Sequence, residues 1–229
     1  MRKIVFAIYI LYQSSFLYAD AEPSFRITSL VGLSTFKSKL VESNDTSNTI
    51  LYGFEVNAGA NRNYNMGIEF ESNSTKFMYA NSTNTSLISR NYEIVYFDYR
   101  FSYLKFGVRF HRLDSKVKNQ DVDYLDYVAF GKGFELGGFF PLSKDTQVFL
   151  EYKSDLAGSV KDAILGPTAD LKIGTKSDLL IGSRFKITKS LLDVVIGYLQ
   201  RNYSISVNGT SAKEVENITW LGLNYSFFN

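Results

Sequence analysis

From Tyr52 the chain alternates: Tyr52, Phe54, Val56, Ala58 and Ala60 fall on one parity, and Gly53, Glu55, Asn57, Gly59 and Asn61 on the other. Successive side chains of a strand point to opposite faces, so this pattern marks a two-faced β-strand. It returns with Met66, Ile68 and Phe70 against Gly67, Glu69 and Glu71, and with Leu104, Phe106, Val108 and Phe110 against Lys105, Gly107, Arg109 and His111. Phe134, Leu136 and Phe140 oppose Gly133, Glu135 and Gly137; Val148, Leu150 and Tyr152 oppose Gln147, Glu151 and Lys153; Leu179, Ile181, Phe185 and Ile187 oppose Gly182, Arg184 and Lys186. Helical spacing with caps is not found at comparable length, and the strongest candidate, 156–165, is short and contains Gly158.

Marked by this rule, ten strands run over 24–37, 50–61, 66–79, 90–101, 104–113, 124–140, 146–155, 177–187, 191–203 and 216–228. No Gly, Pro or Asn divides the fourth from the fifth. The apolar parity changes there instead, from Phe97, Tyr99 and Phe101 to Leu104, Phe106 and Val108, as a tight turn produces. Connections alternate in length. Those at 61–65, 102–103, 141–145 and 188–190 are short, while those starting near Ser38, Ala80, Asp114, Leu156 and Ser204 are long and rich in Ser, Thr, Asn, Asp and Lys. An even number of tilted strands with short turns at one end and longer loops at the other is the arithmetic of an outer-membrane barrel with both termini in the periplasm. The expected fold is all-β: a closed antiparallel up-and-down transmembrane barrel of ten strands, with eight as the alternative.

Composition narrows the function classes. The 229 residues carry 25 Lys+Arg against 23 Asp+Glu, a formal charge of +2, so no basic field draws nucleic acid. The absence of cysteine removes disulfide scaffolds, thiolate metal sites and cysteine nucleophiles. With 19 Phe and 16 Tyr against 3 Pro, the chain has the balance of long strands and not of linkers. At the N-terminus, Arg2 and Lys3 precede an apolar run from Ile4 to Leu11, and Ala19-Asp20-Ala21 has the small-x-small spacing of a signal-peptidase site. Residues 1–21 are expected to be a cleaved signal peptide and 22–229 the barrel.

At this point the chain resembles the small outer-membrane β-barrels of Gram-negative bacteria, those grouped around the OmpA transmembrane domain and its single-domain relatives. Phe139-Phe140-Pro141-Leu142-Ser143-Lys144-Asp145 looks like a periplasmic turn of that group, and Gly222-x-x-Tyr225-x-Phe227 looks like the insertion signal read by the barrel-assembly machinery. Trp220 stands where a polar residue is usual, and Phe228-Asn229 replaces a terminal aromatic. The resemblance implies outer-membrane lipid and the assembly machinery as partners, and no wall-binding domain is expected after the barrel.

Periodicity alone does not tell inside from outside, and an exported lipocalin-like barrel would place its apolar face inward. Glycines on the polar parity, few lysines on the apolar one, and tyrosines near strand ends (Tyr52, Tyr64, Tyr79, Tyr92, Tyr124, Tyr203 and Tyr225) favour lipid outside. The lumen is then expected to be lined by Glu55, Glu69, Glu71, Lys105, Arg109, Glu135, Glu151, Lys153, Arg184 and Lys186, five acids and five bases that can pair and plug it. An incomplete plug would leave a narrow path for small solutes, and the loop from Leu156 to Lys176 is free to cover the mouth or hold an external ligand.

His111 is the single histidine, and His111-Arg112-Leu113-Asp114-Ser115 carries a base, an acid and a nucleophile in one run. Barrel enzymes acting on lipid or peptide are thereby brought into question. Omptin proteases pair Asp-x-His with a separate Asp-Asp couple and lipid A deacylase barrels use His-x-Ser, whereas position 113 is Leu and no adjacent Asp-Asp couple occurs. The expected reading is a luminal histidine in a non-enzymatic barrel, with no cofactor or metal. Loop carboxylates such as Asp121, Asp123 and Asp126 would hold a cation only weakly.

Overall fold

The computed structural model describes residues 24–38, 47–59, 63–78, 85–119, 122–155, 159–164, 171–187, 191–207 and 210–227. The expected signal peptide lies outside them. Among the described residues eleven strands follow one another: β1 (Ser24–Ser38), β2 (Ser47–Gly59), β3 (Tyr64–Met78), β4 (Thr85–Phe101), β5 (Leu104–Asn119), β6 (Val122–Pro141), β7 (Thr146–Asp155), β8 (Ser159–Ile164), β9 (Leu171–Lys186), β10 (Leu192–Val207) and β11 (Thr210–Ser226). Each pairs antiparallel with its neighbours. β1 meets β11, and β5 meets β6, which closes the sheet.

The closed ring has ten strand positions, because β7 and β8 occupy one of them. β7 pairs with the 133–141 part of β6 and β8 with the 126–130 part, in the same direction. The eight-stranded alternative is excluded. The expected division at 102–103 is a two-residue turn with Ser102 at φ 55°, a left-handed conformation that lets the strands reverse there.

Burial settles which face is outside. Phe97, Phe106, Val108, Leu136, Leu150, Ile181, Ile196 and Leu221 are exposed, whereas Glu69, Lys105, Arg109, Glu135 and Glu151 are buried. The lipocalin-like arrangement is thereby rejected, since its charges would be outside. On β9 and the residue after it, the apolar band runs from Leu179 to Ile187, nine residues. At about 3.4 Å per residue and a tilt near 40° that is roughly 23 Å of height, close to the band that crosses an outer membrane.

The strands continue far past this band, which corrects the expected loops. β5 extends to Asn119 and β6 resumes at Val122; β4 starts at Thr85, β9 at Leu171 and β11 at Thr210. The supposed loop 156–176 holds β8 and the start of β9. The reason is a change of phase at the edge of the band. On β5 the outward residues turn from Phe106, Val108 and Phe110 to Arg112, Asp114 and Lys116, while Leu113 and Val117 are buried inside. Outside the wall, lipid has given way to water, so the apolar residues move to the inner face and the stretch no longer reads as the same strand. Arg112 and Glu93 pair across this outer surface at 3.2 Å, and Lys116 and Asp126 at 3.3 Å.

The tyrosine girdle is also corrected in part. Tyr52, Tyr64 and Tyr225 are exposed on the outer face, but Tyr92 and Tyr203 are buried in the lumen. Tyr79 lies outside the described residues.

Candidate functional site: the charged lumen

Inward parity brings long charged side chains from every wall into a space little wider than they are. Lys105 on β5 bridges Glu151 on β7 at 3.0 Å and Glu135 on β6 at 3.2 Å. Arg109, four residues on, lies 3.5 Å from both Glu135 and Glu69 and 3.9 Å from Asp155. Lys153 on β7 reaches across the barrel to Glu69 on β3 at 3.5 Å. Lys176 joins Asp155 at 3.4 Å to Asp178 at 2.8 Å, and Arg201 on β10 joins Asp178 at 3.0 Å to Glu71 on β3 at 2.6 Å and to Glu216 at 3.6 Å. The result is an unbroken ladder of opposite charges from Glu151 to Glu216. A buried ion left without a partner costs several kcal/mol, so alternation of sign is the condition under which these groups share a closed space.

Glycine makes the room. A Cβ on Gly197 would stand 2.6 Å from the Trp220 ring, and one on Gly32 2.6 Å from Ile218. Trp220, half-buried in the lumen, packs beside Phe149 with ring centres 6.4 Å apart, and Leu30, Leu51, Leu180, Leu199 and Ile218 complete an apolar wall facing the ladder. Toward the end away from the termini, Arg90 pairs with Glu214 between the rings of Phe36 and Tyr203, at 5.2 and 5.1 Å. Beyond them Ile88, Val117 and Ile205 are buried on the inner face, as apolar side chains are in the core of a soluble barrel.

Of the ten residues expected in the lumen, Glu69, Glu71, Lys105, Arg109, Glu135, Glu151 and Lys153 lie in the ladder. Glu55 and Arg184 lie nearer the terminal end, lining a cavity of about 120 Å³, and Lys186 is exposed at the rim beside Asp193 and Asp145. The parity rule passed over Asp178 and Arg201, although both fall inside strands it had marked and share the inward phase of Arg184 and Tyr203. Lys176 and Glu214 stood in stretches read as loops, where no phase was assigned.

His111 is buried, with Nδ1 3.7 Å from Asp155, and faces Gly131. Within its run, Ser115 shares the inner face while Arg112 and Asp114 are on the outer one. The wall therefore separates Asp114 from His111 and Ser115, which share the inner face. Among the described residues no cluster of three or more His, Asp or Glu is arranged to hold a metal ion.

Gly222 is buried on the inner face of β11, and Tyr225 and Phe227 are exposed on the outer one with ring centres 4.7 Å apart. Phe227 reaches the first strand: its backbone N–H donates to the Phe25 carbonyl at 2.9 Å, and the two rings lie 5.3 Å apart.

No family model and no curated protein matches the sequence. Among solved structures, the chain is similar to the outer membrane protease OmpT of Escherichia coli, with 10% identity over 91% of this chain and 98% of that one and a TM-score of 0.50. Neisserial surface protein A matches over 88% of this chain and 96% of its own, at 11% identity and a TM-score of 0.43. The attachment invasion locus protein Ail of Yersinia pestis matches over 90% and 99%, at 11% identity and a TM-score of 0.38. The first is a likeness of fold alone, and the other two are too distant to add to it. In architecture the chain is a ten-stranded integral β-barrel of the outer-membrane type.

Proposed function

We propose that this protein is a non-conducting barrel of the Gram-negative outer membrane, with a structural and surface-contact role carried by its wall and by the end that projects past the lipid. On this reading residues 1–21 direct export, Gly222, Tyr225 and Phe227 present the closing strand to the barrel-assembly machinery, and the end bearing both termini faces the periplasm. One observation carries the proposal: the ion-pair ladder crosses the lumen from β3 to β7 and β10, and the apolar side chains of Ile88, Val117 and Ile205 are buried on the inner face beyond it. A passing solute would have to separate buried charges and then displace buried apolar side chains. The placement of Asp114 across the wall from His111 and Ser115 supports a barrel without hydrolytic activity.

Beyond the band, paired charges such as Arg112 with Glu93 and Lys116 with Asp126 give a polar outer surface suited to contact with other cell-surface molecules. Planar-bilayer recording of the refolded protein tests the proposal. The expected result is no conductance above the lipid baseline; porin-like steps would establish the narrow solute channel in its place.

A further inference from the structure

Lys132 interrupts the lipid-facing side of β6. It is exposed on the outer face, with Phe130 before it and Phe134 after it in the same phase, and Phe110 of β5 stands directly opposite. Among the described residues it is the one charged side chain of the outer face with an aromatic ring on either side along its own strand. The surroundings fix its height. Toward the termini Val108, Leu136 and Leu150 belong to the apolar band, and Tyr152 packs its ring against Phe134 with centres 6.2 Å apart, as in an interfacial aromatic belt. Away from the termini the outer face turns to Arg112 with Glu93 and Lys116 with Asp126. Lys132 therefore stands where the apolar band meets the headgroup layer.

The positions adjoining it across the β5–β6 pairing and along its strand hold no anion. Val108 and Arg112 are its diagonal neighbours on β5, and long side chains so placed reach one another. Glu93 and Asp114 lie beyond Arg112 and pair with it at 3.2 and 3.8 Å. Among the described residues no carboxylate oxygen comes within 4.0 Å of Lys132 Nζ. An ammonium at the edge of hydrocarbon is costly unless water or an anion meets it.

We propose that Lys132, with Arg112 beside it, holds the phosphate headgroup of an acyl-chain lipid in the leaflet at the end away from the termini. The lysine offers a compact charge with three donors to the phosphate oxygens, and Arg112 adds N–H groups from the water side. The acyl chains lie along the wall over Phe110, Phe134, Val108 and Leu136, all exposed on the outer face. A lipid and not free phosphate is the occupant, because Phe110, Phe130 and Phe134 surround the ammonium and only a phosphate carried on chains brings apolar partners for those rings. The inference rests on the outward assignment of this face and not on whether the lumen conducts.

The test is native mass spectrometry of the folded protein in micelles of an uncharged detergent, titrated with dimyristoyl phosphatidylglycerol. Diacylglycerol with the same chains, which lacks the phosphate, and free glycerol phosphate, which lacks the chains, are titrated alongside. Saturable binding of the first phosphatidylglycerol is expected, with both comparison molecules several-fold weaker. K132Q should lose about fivefold or more in affinity for phosphatidylglycerol, the effect of one lysine at a membrane surface, while K132R keeps the native affinity. K213Q, at the exposed Lys213 of β11, should bind as the native protein does. Heat-modifiable migration reports folding of each variant. Should K132Q fail to fold, K132T replaces it under the same expectation, since Thr175 and Thr219 already stand exposed on the outer face of β9 and β11. Native affinity in folded K132Q or K132T, an equal loss in K213Q or K132R, or binding of diacylglycerol or glycerol phosphate as tight as that of phosphatidylglycerol would overturn the proposal.

Discussion

Val108 and Arg109 are neighbours on β5 and lie on opposite sides of the barrel wall: Val108 is 50% exposed on the outer face, while Arg109 is 1% exposed and faces Glu69, Glu135 and Asp155. One peptide unit separates a side chain that lipid must accept from one that lipid would reject.

Val108→Arg places a cation in the apolar band. It is expected to lower folding stability in lipid vesicles by about 2 to 4 kcal/mol, the cost of arginine near the midplane of such a barrel. Urea titration of refolding, followed by heat-modifiable migration, measures this. Folded protein recovered in detergent-free buffer as a monodisperse species would refute the outward assignment of that face.

Arg201 joins Asp178, Glu71 and Glu216, all buried. Arg201→Met leaves three carboxylates facing one another and is expected to destabilise the barrel by about 3 to 5 kcal/mol. The double variant Arg201→Met with Asp178→Leu should recover part of that loss, because the removed charges include both partners. A double-variant cycle in urea reads the coupling, and a cycle that closes additively would show the pair to be unimportant.

Orientation can be read on cells. The chain has no cysteine, so single introduced cysteines report without background. Asn48 on β2 and Ser211 on β11 are exposed at the end that projects past the band, and Asn63 is exposed at the opposite end, in the turn before β3. An impermeant thiol reagent should label the first two positions on intact cells and the third only after the outer membrane is opened. The reverse pattern would invert the topology.

Tyr225 and Phe227 close the barrel against β1, with Phe227 in contact with Phe25 by backbone and ring. Replacing both by Ser removes two outward apolar groups from the closing strand. The expected outcome is unfolded protein held in the periplasm, seen as loss of the heat-modifiable form. Normal amounts of folded barrel in the outer membrane would remove the assembly role assigned to these residues.

The single-residue character of the inner and outer faces explains what was legible in the sequence. Strand number, antiparallel order and the turn at 102–103 follow from local alternation: within the lipid band every strand must show an apolar face, and each turn interrupts or shifts the phase. Seven of the ladder residues could be named from parity alone, Glu69 and Arg109 among them. Lys186 could not be told from them, since parity gives the side of the wall but not the height along it.

What only the tertiary structure decided is which face is inside and which residues meet. Alternation is symmetrical, so Val108 and Arg109 exchange roles unless the surrounding solvent is known. The far ends of β4, β5 and β9 read as loops because the solvent outside them changes from lipid to water and the apolar phase moves inward, to Ile88, Leu113 and Val117. The pairing of Lys153 with Glu69 and of Arg201 with Glu71 joins residues 84 and 130 positions apart, across a lumen that exists only once the ring has closed. No local pattern encodes such a partner, because the contact is set by barrel diameter, strand stagger and the length of the side chains themselves.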